Sequence, residues 1–325
     1  MSQRAPVFIV GCPRSGTTLL GSYLRATGKF ADYRAEADVF SVLKPAFGNL
    51  RFARNRKRLM DRWLRSRLFQ VSGLDPDDIR PRVMAECRCE GDFLRVQMEQ
   101  IAYRQGLERW FDQTPDNLLY IRDIDRQIPG SLFIHIIRDG RDVALSYVKQ
   151  GWSKSLSRDF QSQLLLAGSY WKWIVRRGRH DGHALGSRYI EVRFEQLVEN
   201  PRETLADLGA FIGERFDCDE AVAKGTGWLQ RANTSFPEET DGGRLSPVGR
   251  WKRILTGQQL HALEAVLSDY LSELGYACTA KSVLAASRRA QVTGVTHQFL
   301  FDTKHWLKSN TPLGRLVDLS RIDCA

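Results

Sequence analysis

Short apolar runs alternate along the chain with longer stretches in which apolar residues recur every three or four positions. The runs at 7–10, 132–137 and 188–192 have the length and the branched or aromatic content of buried strands. Strands that alternate with helices imply an α/β fold with a central parallel sheet and helices on both faces. The apolar spacing predicts helices at 38–47, 49–69, 91–106, 116–127, 157–179, 201–212, 248–254 and 257–274, with Pro76 and Pro81 marking a loop.

A glycine-rich loop follows the first predicted strand. It reads Gly-Cys-Pro-Arg-Ser-Gly-Thr-Thr from Gly11 to Thr18, and the helical pattern behind it ends near Gly28, where a C-terminal cap belongs. A strand, a glycine loop and a helix start form a P-loop-like phosphate cradle. Thr17 stands where a Walker loop has the lysine that reaches the outer phosphates of a nucleoside triphosphate. The loop therefore argues against ATP or GTP, and Arg14 supplies a cation elsewhere in it.

A second motif follows the strand predicted at 132–137. Arg138 lies at the end of that strand, and Ser146 lies eight residues later, in the first turns of the next predicted helix. An arginine at a strand end and a hydroxyl from the following helix can grip one phosphate together. The alternative is a surface ion pair between Arg138 and Asp142.

Composition limits the class of protein. The chain has 325 residues, enough for one large α/β domain or a domain with an appendage. Mean hydropathy is −0.36, and no apolar run approaches the length of a membrane span. The first strand begins too early to leave room for a signal peptide, and we expect the six cysteines to be reduced thiols of a cytoplasmic protein. The net charge of +10 suits an anionic ligand.

These motifs resemble the sulfotransferase superfamily, whose donor is 3′-phosphoadenosine 5′-phosphosulfate (PAPS). The loop Pro13-Arg14-Ser15-Gly16-Thr17-Thr18 is similar to that of the tyrosylprotein and glycan branch and of bacterial relatives. The segment with Arg138 and Ser146 resembles the one that holds the 3′-phosphate of the donor. The resemblance implies a sulfotransferase domain over 1–278, followed by a C-terminal extension of unknown role over 279–325.

The implied reaction is in-line transfer of a sulfuryl group to a hydroxyl or amine of an acceptor. Adenosine 3′,5′-bisphosphate (PAP) is the product, and no metal is required in principle. Arg14 and the loop amides would stabilise the charge on the leaving phosphate. Glu36 is the candidate general base, since the tyrosylprotein enzymes carry a glutamate in a similar place. The alternatives are a helix-capping role near Asp38 for Glu36, and His135 as base, although an apolar strand favours a buried structural histidine.

Four more residues match family positions with departures. Phe194 stands where a tyrosine usually contacts the adenine, and a core phenylalanine is the alternative. Arg250 matches the late basic residue that returns to the 3′-phosphate, with Ser235 as a second candidate upstream. Gln113 stands where the family often has a lysine that stabilises the transferring group. It can donate a hydrogen bond but supplies no charge, so Arg14 is the obvious substitute.

Residues 51–67 hold eight Lys or Arg and one acid, with apolar residues between them. This pattern fits peripheral contact with a membrane or an acidic substrate, or else a solvated helix whose apolar stripe packs on the core, which we favour. No nucleic-acid-binding module accompanies it.

The function predicted is a PAPS-dependent sulfotransferase. A glycan, a lipid, a peptide or a small molecule could be the acceptor, and a homo-oligomer is left open. Two rivals are a P-loop nucleotide kinase, which would need the missing lysine, and a non-catalytic nucleotide-binding protein of the same fold.

Overall fold

A computed structural model of the chain describes residues 5–153, 159–225, 247–279 and 288–323. Four parallel strands form one sheet in the order β2–β1–β3–β4, as the alternation of strands and helices predicts. In register, Ile9 of the first strand lies opposite Ile134, which lies opposite Ile190. The strands are β1 (Val7–Gly11), β2 (Phe111–Asp112), β3 (Leu132–Ile137) and β4 (Tyr189–Arg193).

Helices make up most of the remaining described chain. They are α1 (Thr17–Ala26), α2 (Lys44–Phe47), α3 (Ala53–Trp63), α4 (Arg67–Ser72), α5 (Pro76–Glu86), α6 (Glu90–Arg104), α7 (Ile121–Gln127), α8 (Gly140–Lys149), α9 (Phe160–His183), α10 (Phe194–Glu199), α11 (Pro201–Ile212), α12 (Cys218–Gly225), α13 (Trp251–Ile254), α14 (Gly257–Glu273) and α15 (Arg288–Asn310). A π-helical turn (Val39–Leu43) precedes α2. Short 3-10 helices cover Pro115–Tyr120, Gly186–Arg188, Pro312–Leu316 and Leu319–Asp323.

The sheet is covered on both faces, as predicted. Successive side chains of β1 point to opposite sides: Phe8 and Val10 belong to one hydrophobic core, and Val7 and Ile9 to the other. Helices α1, α10, α11 and α12 pack on the second side, whereas α3, α5, α6, α9 and α14 pack on the first. Parallel strands buried on both faces explain why these segments are continuously apolar.

The loop predicted around Pro76 and Pro81 is wrong, since both prolines lie in helix α5. Pro76 is the first residue of the helix. Proline has no backbone N–H, and an N–H at this position would have no acceptor within the helix, so nothing is lost. The carboxylate of Asp75 caps the helix by accepting the N–H of Asp77 at 2.9 Å. Pro81 removes one bond from an exposed stretch of the helix, where water can satisfy the acceptor.

The single helix predicted over 49–69 is two helices, α3 and α4. Ser66 interrupts it and caps α4, because its hydroxyl accepts the N–H of Phe69 at 3.3 Å. Leu59, Met60 and Trp63 of α3 are almost fully buried. The basic segment therefore packs an apolar stripe on the core, as we favoured, and its contact with a membrane stays a prediction.

The C-terminal extension docks on the body of the protein. Phe301 of α15 lies against Tyr170 and Trp173 of α9, with ring centroids 5.4 and 5.5 Å apart. Phe299 and Trp306 of the same helix are 70% and 58% exposed. The division between 1–278 and 279–325 stays a prediction.

Two whole-chain expectations bear on the described residues. No helix among them combines the length and the apolar character that crossing a membrane needs. Their cysteines are free thiols: Cys12, Cys87, Cys89, Cys218 and Cys278.

Gly140 allows the buried ring of Trp171 to pack against the start of helix α8. A Cβ atom at Gly140 would lie 2.4 Å from ring carbon Cε3 of Trp171. The Gly140→Ala variant should therefore lose about 1–3 kcal/mol of unfolding free energy in urea, the usual cost of overpacking. Gly257→Ala is the control, because no neighbour lies within 4 Å of its Cβ and it begins a helix. That variant should be as stable as the wild type or more so, and equal losses in both would contradict the packing argument.

Candidate active site

The glycine-rich loop is held in a conformation that presents backbone N–H groups. Arg14 and Gly16 both have positive φ, 73° and 106°, and the N–H of Ser15 bonds the carbonyl of Cys12 at 3.0 Å. Backbone that enters the left-handed region in this way makes a concave anion site. The first-turn N–H groups of α1 add to it, because they have no acceptor inside the helix.

The two sequence motifs meet at this loop because β1 and β3 are paired neighbours. Nε of Arg14 donates to Oγ of Ser146 at 3.0 Å. Nη1 of Arg138 donates to the carbonyl oxygen of Arg14 at 3.1 Å. The residues predicted to bind opposite ends of one nucleotide are thus in direct contact.

Three guanidinium groups are concentrated here. Burial and then the charge of Arg138 lower the pKa of Arg14, and Arg250 lowers it further. Burial also lowers the pKa of Arg138, as does Arg250, while Asp142 opposes the shift. Asp142 lies 3.7 Å from Nη2 of Arg138, and both side chains are buried, so the two residues do pair, but inside the protein and not at its surface as the alternative had it. Glu195 and Asp139 also oppose the shift, yet the pKa of Arg138 stays lowered, and an anion would relieve the repulsion that remains among the three guanidinium groups.

The loop that carries Arg250 is pinned by the same Asp142. Its carboxylate accepts the N–H of Gly249 at 2.8 Å and the N–H of Trp251 at 3.0 Å. Arg250 lies between these two residues and is 2% exposed. The late basic motif is therefore at the cradle, whereas Ser235 lies outside the described residues.

The remaining loop residues offer polar groups to a ligand in different ways. Oγ of Ser15 and Nε of Arg138 are buried and bond no atom of the described residues. Thr17 is buried, Pro13 is half-buried and Thr18 is exposed. Since a buried polar atom without a partner is costly, these groups fit an anionic ligand in the cradle.

The ring of Phe194 packs against the glycine-rich loop at Gly16. Its ring lies 4.5 Å from the guanidinium carbon of Arg138 and so close to Gly16 that a Cβ there would be 2.3 Å away. The ring is 4% exposed. This packing matches the core role considered as the alternative, and contact with an adenine stays a prediction.

Glu36 lies in a recess with two other carboxylates. The side chain of Glu36 is 44% exposed. Desolvation by the surrounding protein nevertheless raises its pKa to about 8, and the charges of Asp38 and Asp116 add to that rise. Glu36 in turn raises the pKa of Arg14. The two candidate catalytic groups are therefore near enough to act on each other electrostatically.

A buried network that the sequence analysis missed fixes the backbone beside Glu36. Oγ1 of Thr114 accepts the N–H of Ala37 at 2.9 Å and donates to Asp112 at 3.0 Å. Asp112 also accepts from Asn117 at 2.7 Å. The one sequence signal near them is Gln113, which lies between Asp112 and Thr114 and matches a family position.

Two other sequence candidates are engaged elsewhere. Oε1 of Gln113 accepts from Arg25 at 3.1 Å, beside Gly21 of α1. His135 is fully buried, its Nδ1 lies 2.6 Å from the hydroxyl of Tyr189, and burial lowers its pKa to about 3. His135 is thus the structural histidine that the strand pattern favoured.

The comparisons with known proteins agree with this geometry. The model of the Sulfotransferase family matches residues 6–218, more than half of the chain. The chain belongs to the sulfotransferase family. No curated protein matches it significantly in sequence.

Solved structures share the fold of this sulfotransferase. The sulfotransferase domain from the curacin biosynthetic pathway has a TM-score of 0.55 at 16% identity, covering 85% of this chain and 99% of that one. The sulfotransferase domain of the Synechococcus PCC 7002 olefin synthase has a TM-score of 0.50 at 20% identity, covering 79% and 90%.

The enclosed position of Glu36 has a consequence for stability. Its pKa rises from 4.5 to about 8 on folding, so between these values the folded protein binds more protons than the unfolded chain, and this group costs stability as pH rises. Glu36→Gln should therefore gain stability relative to the wild type as pH rises from 4.5 to 8, measured by urea unfolding. Glu199→Gln at an exposed helix end is the control. A constant difference across this range would contradict the assignment.

Proposed function

We propose that this protein transfers a sulfuryl group from PAPS to an acceptor hydroxyl or amine. The observation that carries the proposal is the group of three arginines on a P-loop-like cradle, of which Arg138 and Arg250 are buried and Arg14 is half-buried. Arg14, Arg138 and Arg250 come from three separate segments, and their mutual repulsion calls for an anion with more than one charged group. A nucleotide with phosphates at both the 3′ and 5′ positions meets that demand.

Each group of the donor has residues suited to hold it. The loop amides and Arg14 fit the 5′ end, as P-loop-like cradles bind phosphates. Arg138, Ser146 and Arg250 fit the 3′-phosphate, because charge-assisted hydrogen bonds are strongest where several donors converge on one anion. The donor itself would supply an activated sulfuryl group and a phosphate leaving group.

The protein's own part in the reaction is to orient the reactants and manage charge. Arg14 is placed to stabilise the negative charge that develops on the leaving phosphate. Glu36, when ionised, would accept the proton of the attacking hydroxyl. The reaction is expected to proceed in line, as in the related phosphoryl transfers.

The rival functions fit less well. A nucleoside triphosphate kinase would need a cation at Thr17, whereas the cation of this loop is Arg14, which donates to Ser146. A non-catalytic binding protein would not need a carboxylate with a raised pKa near Arg14. The acceptor stays open among glycans, lipids, peptides and small molecules, because specificity depends on loops and not on the shared fold.

The donor assignment predicts selectivity between two nucleotides. Arg138→Ala should weaken binding of PAP by about tenfold to a hundredfold, since a charge-assisted contact contributes about 1.5–3 kcal/mol. Binding of AMP, which lacks the 3′-phosphate, should change much less. Isothermal titration calorimetry with both nucleotides measures the difference.

Two further variants keep this test sharp. Ser146→Ala removes one hydroxyl and should show the same selectivity with less risk to folding. Arg109→Ala is the matched control, because Arg109 is a buried arginine that bonds Glu214 at 2.8 Å instead of the loop. Equal losses for PAP and AMP in both Arg138→Ala and Ser146→Ala would reject the 3′-phosphate assignment.

The base assignment predicts how turnover depends on pH. Glu36→Gln should keep PAP affinity while turnover with labelled donor falls by roughly 10²–10⁴. Because the base must be ionised, the wild-type rate should fall as pH drops below about 8. That acid limb should be absent from residual Glu36→Gln activity. Near-normal turnover of the variant on the true acceptor would remove Glu36 from the mechanism.

A further inference from the structure

One arginine near the C-terminus lies among three carboxylates at the candidate base. Nη2 of Arg321 lies 3.6 Å from Oε2 of Glu36 and 3.1 Å from Oδ1 of Asp38. Its Nη1 donates to Oδ2 of Asp116 at 2.9 Å. The guanidinium group thus bridges the segment that carries Glu36 and the 3-10 helix that follows β2.

The chain around Arg321 is anchored independently of these contacts. Ile322 is fully buried in the larger hydrophobic core. Asp323 forms a two-pronged pair with Arg62 of α3, at 3.1 and 2.6 Å. Contacts of the neighbouring residues therefore fix the backbone at Arg321. Its side chain is directed at the carboxylates of Glu36 and Asp38.

Arg321 offsets the negative charge of the carboxylates around Glu36. Glu36, Asp38 and Asp116 repel one another, and an ionised Glu36 needs a nearby cation to offset this repulsion. Arg321 is the cation within 4 Å of Glu36 in the described part of the chain. Burial works against its own charge, but Asp116 and Asp38 raise the pKa of Arg321, so it stays protonated.

The other charged groups around the recess act at longer range. Asp112 raises the pKa of Glu36 from the buried network. Lys308 of α15 acts on Asp116 and Asp38, and Arg14 faces Glu36 from the loop. Neither Lys308 nor Arg14 forms a salt bridge with Glu36 within the described residues, whereas Arg321 does.

We propose that Arg321 is a positioning residue of the transfer site, which holds the Glu36 carboxylate in place and supplies the charge that its ionised form requires. This inference rests on the proposed function. It makes the extension beyond residue 278 part of the active site, with Arg321 acting through Glu36 and not on the reacting atoms.

A carboxylate titration tests the inference without an acceptor. The side-chain carboxyl of Glu36 can be followed by carbon-13 NMR against pH, with Glu36→Gln to assign the resonance. In Arg321→Gln the midpoint should move to higher pH by about one pH unit, because the removed cation favours the ionised form. Arg321→Lys keeps the charge and should restore most of the shift. Arg315→Gln, an exposed arginine in the same segment, should leave the midpoint unchanged.

Turnover with labelled donor gives the second readout. In Arg321→Gln the acid limb of the rate should move to higher pH by the same amount, and the rate should approach that of the wild type at high pH. A uniform loss at every pH would indicate a merely structural role and overturn the proposal. An unchanged Glu36 midpoint in Arg321→Gln would overturn it too.

Binding of PAP separates this inference from the function on which it rests. PAP affinity should be equal in the wild type, Arg321→Gln and Arg315→Gln, because Arg321 does not contact the cradle. A wild-type protein that fails to bind PAP would reject the proposed donor, while the NMR titration would still report on the contact between Arg321 and Glu36.

Discussion

Positive charge gathered at the adjacent ends of β1 and β3 is the constraint on which the site depends. Parallel pairing brings the loop with Arg14 beside the strand end with Arg138, and Asp142, in the helix that follows Arg138, holds the loop with Arg250. Like charges held together without water are unfavourable. The protein stabilises them with backbone carbonyls, the ring of Phe194 and nearby carboxylates, of which Asp142 lies 3.7 Å from Arg138. The repulsion that remains is available for binding an anion.

The scaffold around this charge is built to keep it fixed. Trp171 of α9 donates its indole N–H to the carbonyl of Arg138 at 3.1 Å, and Gly140 leaves room for its ring. Gly16 similarly leaves room for Phe194. Small residues next to large aromatic ones thus set the position of the backbone around the cradle. Such preorganisation is what makes electrostatic stabilisation effective.

The sequence predicted the parts of the site that follow from local chemistry. The glycine spacing indicated the cradle, and Arg138 and Ser146 were assigned to the donor's 3′-phosphate because an arginine at a strand end and a hydroxyl from the next helix can grip one phosphate, as in the family segment that they resemble. Helix α5 was missed because Pro76 and Pro81 look like loop residues until the cap by Asp75 is seen. For Phe194 the sequence allows either contact with an adenine or a place in the core. The structure shows that its ring packs against Gly16 and Arg138. Arg321 could not be found from the pattern at all, since it is 205 residues from Asp116 along the chain.

The two halves of the site solve opposite electrostatic problems. The cradle concentrates cations, while the recess at Glu36 concentrates carboxylates and contains one arginine brought from the far end of the chain. A base must keep a proton affinity high enough to accept the acceptor's proton, yet be ionised at the working pH. Desolvation, with Asp38 and Asp116, raises the pKa of Glu36, and Arg321 opposes that rise. Under the proposed function, the position of Arg321 would tune the base without altering the donor cradle.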